Sequence, residues 1–416
     1  MHEKSRGLAA FLPLQGARNL VWLVAVLPLG CGSLLTFKFA VADLLLRQNS
    51  FASVARAVAL DPGNASYHEL LAEHLAEAGS DPSGELAAAV SLSPLDSHFW
   101  IRLAFQQESD GRLDDAEHSL NQAVAVDRTF GPKAAMTNYY FRRGDELRFW
   151  KWAGAALEMA YGGMNSIFRL CWLMSPDEAK TRLIMPSRHD VLVSYLYFLL
   201  ERREVAAAGP IAVRAVHLAD AGDVTGLLSY CDESIGTPNS SALDVWNTLC
   251  RRKLVPFETL DPAAGRIVSN GHFETLPTGR GYDWRTTEAE GLSFAPVSDG
   301  MELRLSGRQP GESILLAQRV PLHPGQQYRM TYTYRAIGAA VVSGLHWEVR
   351  TTASPHALLA GSPDLVAGED WNTRHIDFNA DDNDSAIVEL SYGQVTGMPR
   401  WDGVAVLRFV SIEPIR

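Results

Sequence analysis

The chain has 416 residues, 37 Lys+Arg against 48 Asp+Glu, a formal net charge of −11, and 47% apolar and 20% charged side chains. That length implies two or three folded units, each able to bury its own core, and the composition excludes a disordered or fibrous chain. The acidic balance excludes wholesale nucleic-acid binding, which needs a basic footprint.

Leu20 to Phe37 is an uncharged, mostly apolar run, about 27 Å long as a helix and just able to cross a bilayer. Extension through the snorkelling Lys38 to Val41 would complete a span over residues 20–41. Lys4, Arg6 and Arg18 precede it against Glu3 alone, so the positive-inside rule keeps residues 1–19 cytoplasmic. The expectation is a single-pass protein of a bacterial inner membrane with its bulk in the periplasm. Two alternatives are a cleaved signal, since Pro28-Leu29-Gly30-Cys31 faintly resembles a lipoprotein processing site, and a buried core helix. An oxidising compartment would permit a Cys231–Cys250 bridge, with buried free thiols the alternative. No CxxC or zinc-spaced Cys/His cluster occurs, and no metal or cofactor is expected.

Next comes a repeat. Ala57-Val58-Ala59-Leu60, Ala89-Val90-Ser91-Leu92, Ala123-Val124-Ala125-Val126 and Ala156-Leu157-Glu158-Met159 recur at a nearly constant interval, the signature of stacked helix pairs. The clearest unit begins at Ser97. Trp100, Leu103 and Ala104 on its first helix and Ala116, Leu120 and Ala123 on its second resemble a tetratricopeptide repeat. The small residues let helix axes approach, and the large ones fill the groove between hairpins. The resemblance implies tetratricopeptide-like repeats over 42–163, followed by irregular helical hairpins over 164–253. It also implies a concave, first-helix surface for a protein partner, for which His98, Ile101, Phe105 and Glu108 share one stripe. Ile101 and Phe105 have a plainer alternative, contact with the adjacent repeat.

A Pro-rich, acidic linker over 254–266 then gives way to alternating patterns such as Met301/Leu303/Leu305, Tyr328/Met330/Tyr332/Tyr334 and Leu345/Trp347/Val349. About eight strands over 267–416 have the rhythm of an all-β sandwich. Val268-Ser269-Asn270-Gly271-His272-Phe273-Glu274, Leu303 to Gly307, and Val320 to Tyr334 resemble a carbohydrate-binding module of the galactose-binding-like jelly-roll kind. The resemblance implies a structural calcium held by an acidic residue like Glu274 and paired aspartates on the last strand. Here Arg408 and Phe409 stand in that place, so calcium is not expected, and Arg408 would pair with Glu274 instead. Sugar recognition needs flat aromatic faces rimmed by hydrogen-bonding groups. Tyr282, Trp284 and Trp401 are the candidates, while Trp347 and Trp371 read as core.

No GxxxxGK[ST], GxSxG or HExxH motif occurs. The fold class expected is a multidomain chain, one transmembrane helix, an all-α solenoid and an all-β jelly roll. The expected function is non-catalytic scaffolding, assisting extracellular-polysaccharide or envelope assembly through a protein partner and a polysaccharide. The alternatives are a scaffold whose sandwich binds no sugar, and a glycan-active enzyme.

Overall fold

The structure is a computed structural model that describes residues 32–237, 240–338, 341–353 and 355–415. It divides into two compact units, Met1–Met159 and Ala160–Arg416.

The described part of the first unit is helical: α1 (residues 32–46), α2 (Phe51–Leu60), α3 (Ala65–Glu77), α4 (Ser83–Leu92), α5 (Ser97–Ser109), α6 (Leu113–Val126), α7 (Phe130–Arg143) and α8 (Glu146–Met159). Successive helices pack as α3 on α4, α5 on α6 and α7 on α8, and each hairpin leans on the next. The recurrent alanines explain the packing, because Ala57, Ala89, Ala123 and Ala156 are all fully buried. A side chain ending at Cβ lets the neighbouring backbone come close. Caps set the boundaries: the side chains of Asn64 and Asp96 accept the backbone N–H of Ser66 and His98 at the starts of α3 and α5. Gly144, at φ 67°, closes α7.

The membrane expectation is corrected here. Among the described residues no helix is long and apolar enough to cross a membrane. Residues 1–31, including Cys31 and the first part of the expected 20–41 span, lie outside the described residues. The described remainder belongs to α1, which carries Lys38 and Asp43. Its Ala42, Leu45 and Leu46 pack with Ala57 and Tyr67, and the Tyr67 hydroxyl donates to the Asp43 carboxylate. The single transmembrane helix, and the inner-membrane, periplasm-facing location derived from it, are withdrawn.

The second unit starts with helices α9 (Asn165–Met174), α10 (Glu178–Ile184), α11 (His189–Glu201), α12 (Val205–Leu218), α13 (Val224–Ser234) and α14 (Ala242–Arg251). Phe168, Tyr195 and Phe198 form an aromatic cluster in their interior, with centroids 5.0–5.9 Å apart. A short 3-10 turn, Pro262–Ala264, leads into ten strands among the described residues. These are β1 (Arg285–Thr286), β2 (Leu292–Val297), β3 (Gly300–Ser306), β4 (Glu312–Pro321), β5 (Gln327–Gly338), β6 (Leu345–Thr351), β7 (Leu358–Gly361), β8 (Gly368–Asn379), β9 (Ser385–Gly393) and β10 (Asp402–Pro414).

The strands form two five-stranded antiparallel sheets, ordered β1-β4-β9-β6-β7 and β2-β3-β10-β5-β8. Their inward rows are the alternating apolar sets: Met301, Leu303 and Leu305; Tyr328, Met330, Tyr332 and Tyr334; Leu345, Trp347 and Val349 all belong to one buried cluster. A period of two places every second side chain on one face, so these rows fill the space between the sheets. Two register irregularities interrupt the second sheet: β10 has an extra residue between Leu407 and Phe409 where it pairs with β5, and β8 has three residues, 369–371, opposite the single Arg335 of β5.

Candidate functional site

Within the second unit, the segment before the sandwich and the end of β10 enclose a cavity of about 450 Å³. Its walls include Phe257, Glu258, Arg266, His272, Glu274 and Thr275, with Ser411 from β10. Volumes of this order suit small ligands. One wall is a strained turn, in which Asn270 and Phe273 take φ of 50° and 55°. Non-glycine residues there are held by their surroundings at a cost of roughly 1–3 kcal/mol each.

A buried network holds this turn. The Asn270 side-chain amide donates to the Thr275 carbonyl at 2.8 Å and to Asp283 Oδ1 at 3.3 Å. Thr278 donates its backbone N–H and its hydroxyl to Asp283 Oδ2 at 2.6 and 2.8 Å. Asp283 is fully buried, and burial raises its carboxyl pKa above the ordinary value despite these donors. The Trp284 indole N–H donates to the Asn270 carbonyl at 3.3 Å.

On the same turn, the Thr275 hydroxyl oxygen is buried and has no hydrogen-bond partner among the described residues. Glu258 and Glu274 are exposed and make no ion pair among the described residues. Phe257 lies stacked on Trp246, centroids 5.3 Å apart, and His272 leans on Phe409 at 5.8 Å. The arrangement offers unpaired acceptors, a spare hydroxyl and two ring walls. Such a set binds a polyhydroxylated molecule through hydrogen bonds to its hydroxyls and apolar contact with its ring.

A second polar cluster, at the junction of helices and sandwich, is structural. The Asp232 carboxylate accepts Arg280 Nε at 2.6 Å, the Gly281 N–H at 2.6 Å and Arg285 Nη2 at 2.7 Å. Arg319 donates to the Asp232 carbonyl at 2.8 Å. Gly281 sits at φ 55°, and a Cβ there would come within 2.5 Å of the Trp246 ring, so only glycine permits the approach.

The aromatic residues expected to stack on sugar are in the interior instead. Tyr282, Trp284 and Trp401 are 5%, 0% and 3% exposed, which leaves no ring face open and corrects their proposed carbohydrate role. Tyr282 packs edge-on against Trp246 at 5.8 Å. Trp284 lies against Phe273 and Trp347 in the sheet interior. Trp401 covers Gly338 and Gly403. Trp347 is core as expected, but Trp371 is not. Ile376 and Phe378 point inward, so Trp371, of opposite parity on β8, lies on the outer face.

The expected partner stripe does lie on α5. His98 reaches Glu69 of α3, while Glu108 takes a two-pronged contact from Arg142 of α7, at 2.8 Å from Nε and 2.5 Å from Nη2. Arg142 also lies over the Phe105 ring at 5.8 Å. Phe105 is 38% exposed, and Ile101 is half-buried. First helices thus contact one another through the residues singled out for a partner. Phe105 also lines a shallow groove with Ala72, Glu73, Pro82 and Arg102.

Of the two readings left open for Cys231 and Cys250, the structure has the buried free thiols: Cys171, Cys231 and Cys250 are all free and buried, and the Cys231 thiol faces the Ala242 carbonyl at 3.7 Å. Arg408 does not pair with Glu274 but lies over Trp371. One grouping escaped the sequence: His189, Asp220 and Asp223 bring ligand-type atoms within 4.8 Å of one another. Asp223 Oδ2 accepts the Asp220 N–H at 2.9 Å and lies 2.8 Å from His189 Nδ1, which accounts for the cluster as a tie across the turn before α13. Their separation in the chain gives no metal-spacing signal.

No protein-family model and no curated protein match the chain. Solved structures that resemble it include carbohydrate-binding modules and the enzymatically active domain of bacteriophage CBA120 tailspike protein 4, the latter 13% identical with a TM-score of 0.26 over 36% of this chain and 21% of its own. A structure described as "CBM4 structure and function" is 13% identical, with a TM-score of 0.28, over 35% of this chain and 98% of its own. The CBM22-1 xylan-binding domain of Paenibacillus barcinonensis Xyn10C is 13% identical, with a TM-score of 0.27, over 37% of this chain and 97% of its own. A carbohydrate-binding module of Cellvibrio mixtus lichenase 5A, in complex with cellotriose, is 11% identical with a TM-score of 0.22, over 32% of this chain and 92% of its own.

Proposed function

We propose that this is a non-catalytic binding protein whose sandwich takes a glycan in the cavity beside the Asn270–Thr275 turn, while the face of α3, α5 and α7 meets a protein partner. The observation that carries the reading is the cavity itself. It combines a wall fixed by Asn270 and Asp283, a buried Thr275 hydroxyl and the Glu258 and Glu274 carboxylates, which have no hydrogen-bond or ion-pair partner, respectively, among the described residues, and ring walls from Phe257 and His272. Leaving a buried hydroxyl unpaired costs about 1–3 kcal/mol, a cost a bound hydroxyl would remove.

Binding without turnover fits the placement of the carboxyl groups. A glycosidase needs one carboxylic acid held protonated near neutral pH beside a second carboxylate. The carboxyls that burial shifts upward, Glu178, Asp283 and Glu389, do not line the cavity. Affinity electrophoresis of the full chain against a panel of soluble neutral polysaccharides tests the reading. Retardation by at least one glycan, weakened about tenfold by Thr275→Val or Glu274→Gln, is expected. Migration unchanged across the whole panel, or binding indifferent to both substitutions, would refute it.

A further inference from the structure

We infer that the outer face of the β2-β3-β10-β5-β8 sheet carries a separate anion-binding site, built from Arg335, Arg408 and Trp371, that takes the carboxylates of an acidic polysaccharide. The inference concerns a different surface and does not depend on the cavity's ligand. Arg335 lies over the Trp371 ring with its guanidinium carbon 5.1 Å from the centroid, and Arg408 lies over the same ring at 5.3 Å. One indole therefore orients two guanidinium groups brought from neighbouring strands.

Neither arginine has a carboxylate partner among the described residues, and Arg335 Nε is buried with no hydrogen-bond partner there. The same face shows what a satisfied arginine looks like. Arg329 meets Asp377 with two parallel bonds of 2.7 Å. In a chain with a net charge of −11, two adjacent guanidiniums left unpaired stand out, since a planar fork of donors matches a carboxylate.

The backbone is shaped to aim them. Arg408 is the extra residue of the β10 irregularity between Leu407 and Phe409, and Trp371 belongs to the three residues that β8 places opposite the single Arg335 of β5. Bulges re-aim side chains and are enriched beside binding sites. Gly300 makes room for the first: at φ 139°, its missing Cβ would lie 2.0 Å from the Leu407 carbonyl oxygen. Beside the clamp on the same face run Thr331, Thr333, Thr373 and Ser411, with Thr333 and Thr373 hydroxyls 2.8 Å apart. Thr333 is buried and paired with Thr373, and the hydroxyls of Thr331 and Ser411 on the same face suit the hydroxyls of a polyhydroxylated chain bearing carboxylates; an acidic peptide, which an arginine pair also recognises, is separated from it by the test.

The test is calorimetric titration of the full chain with polygalacturonate, and with the same polymer methyl-esterified so that its carboxylates are masked. Binding of the acid form, at least about tenfold weaker for the ester, is expected; Arg335→Ala and Arg408→Ala should each weaken it about tenfold, and Arg329→Ala less than about twofold. Should either alanine variant fail to fold, Arg→Gln at that position keeps the stem over Trp371 and should show the same loss. Equal binding of ester and acid, no binding of the acid form, or binding untouched by both arginine substitutions would overturn the proposal. Polyglutamate bound as tightly as polygalacturonate and lost in the same variants would overturn the glycan assignment in favour of an acidic protein. Capture of inorganic sulfate alone would likewise overturn it.

Discussion

Replacing Asp232 with alanine removes the one carboxylate that ties the end of α13 to the sandwich's entry loop. Three donors lose their acceptor at once: Arg280 Nε, the Gly281 N–H and Arg285 Nη2, all within 2.7 Å. Arg319, whose guanidinium pKa is lowered by burial and by the nearby Arg285, is left beside two uncompensated cations. A hydrogen bond to a charged group contributes about 1.5–3 kcal/mol when well buried. Asp232 is about a quarter exposed, at 26%, so screening reduces each contribution. The expected net loss is about 2–4 kcal/mol, with Asp232→Asn losing roughly half because its amide oxygen still accepts one donor. Hydrogen exchange read by mass spectrometry is the suitable assay, because a chain of two compact units does not melt as one two-state system. Peptides covering 224–235 and 278–286 should lose protection by about 30- to 700-fold in Asp232→Ala. A change below about threefold in both peptides would refute the assignment of this carboxylate as the tie.

The remaining predictions concern thiols, a buried acid and the helical face. Burial pushes the Cys171 and Cys250 thiols up to about 12 and the Cys231 thiol well above its usual value. All three should resist a thiol-specific aromatic disulfide reagent in the native protein and react on denaturation; peptide mapping that finds any of them labelled natively would contradict their placement. Because the native state holds the Asp283 proton to higher pH than the unfolded chain does, this group's stabilising effect is fully present below the ordinary aspartate pKa. It is lost as pH rises through the raised folded value. The opening free energy read by hydrogen exchange over residues 278–286 should therefore improve in Asp283→Asn relative to the native protein from about pH 4 to 7, and parallel pH curves would contradict this. Glu108→Ala, which breaks a partly exposed pair with Arg142, should cost less than about 1 kcal/mol in the opening free energy read by hydrogen exchange over α5 and α7. A loss above about 2 kcal/mol would show that the pair is a structural tie rather than a surface contact.

Two kinds of pattern were legible in the sequence, for a physical reason. Helix-packing alanines recur because close approach of two axes tolerates only a small side chain, and Ala57, Ala89, Ala123 and Ala156 are all buried as that rule requires. Strand phase was equally readable where a run was long, as at Tyr328 to Tyr334. Ring placement was not. A charged neighbour in sequence does not say which way an aromatic faces, so Tyr282, Trp284 and Trp401, each beside Asp or Arg, turned out to fill the interior. Trp371 was misread by one position of parity, the error that moves a side chain from one sheet face to the other.

The apolar run at 20–41 illustrates another limit. Hydropathy averages over a window and does not register that the run's end belongs to α1, which continues past Val41 into Ala42, Asp43, Leu45 and Leu46 and packs through them on α2 and α3. The cavity was illegible because its walls, residues 256–275 and Val410 to Ile412, meet only through the strand order of the folded sheet. The one local signal for it was Asn270-Gly271, a turn-forming pair ahead of alternating strands.

The most direct test of the account is equilibrium binding of a neutral oligosaccharide to the full chain, followed by the signals of Thr275 and its neighbours in an isotope-labelled sample. The account predicts saturable shifts confined to residues 256–275 and 410–412, abolished by Thr275→Val, with no new reducing ends appearing in the oligosaccharide. Shifts centred elsewhere on the sandwich, or release of reducing ends over the same period, would contradict it.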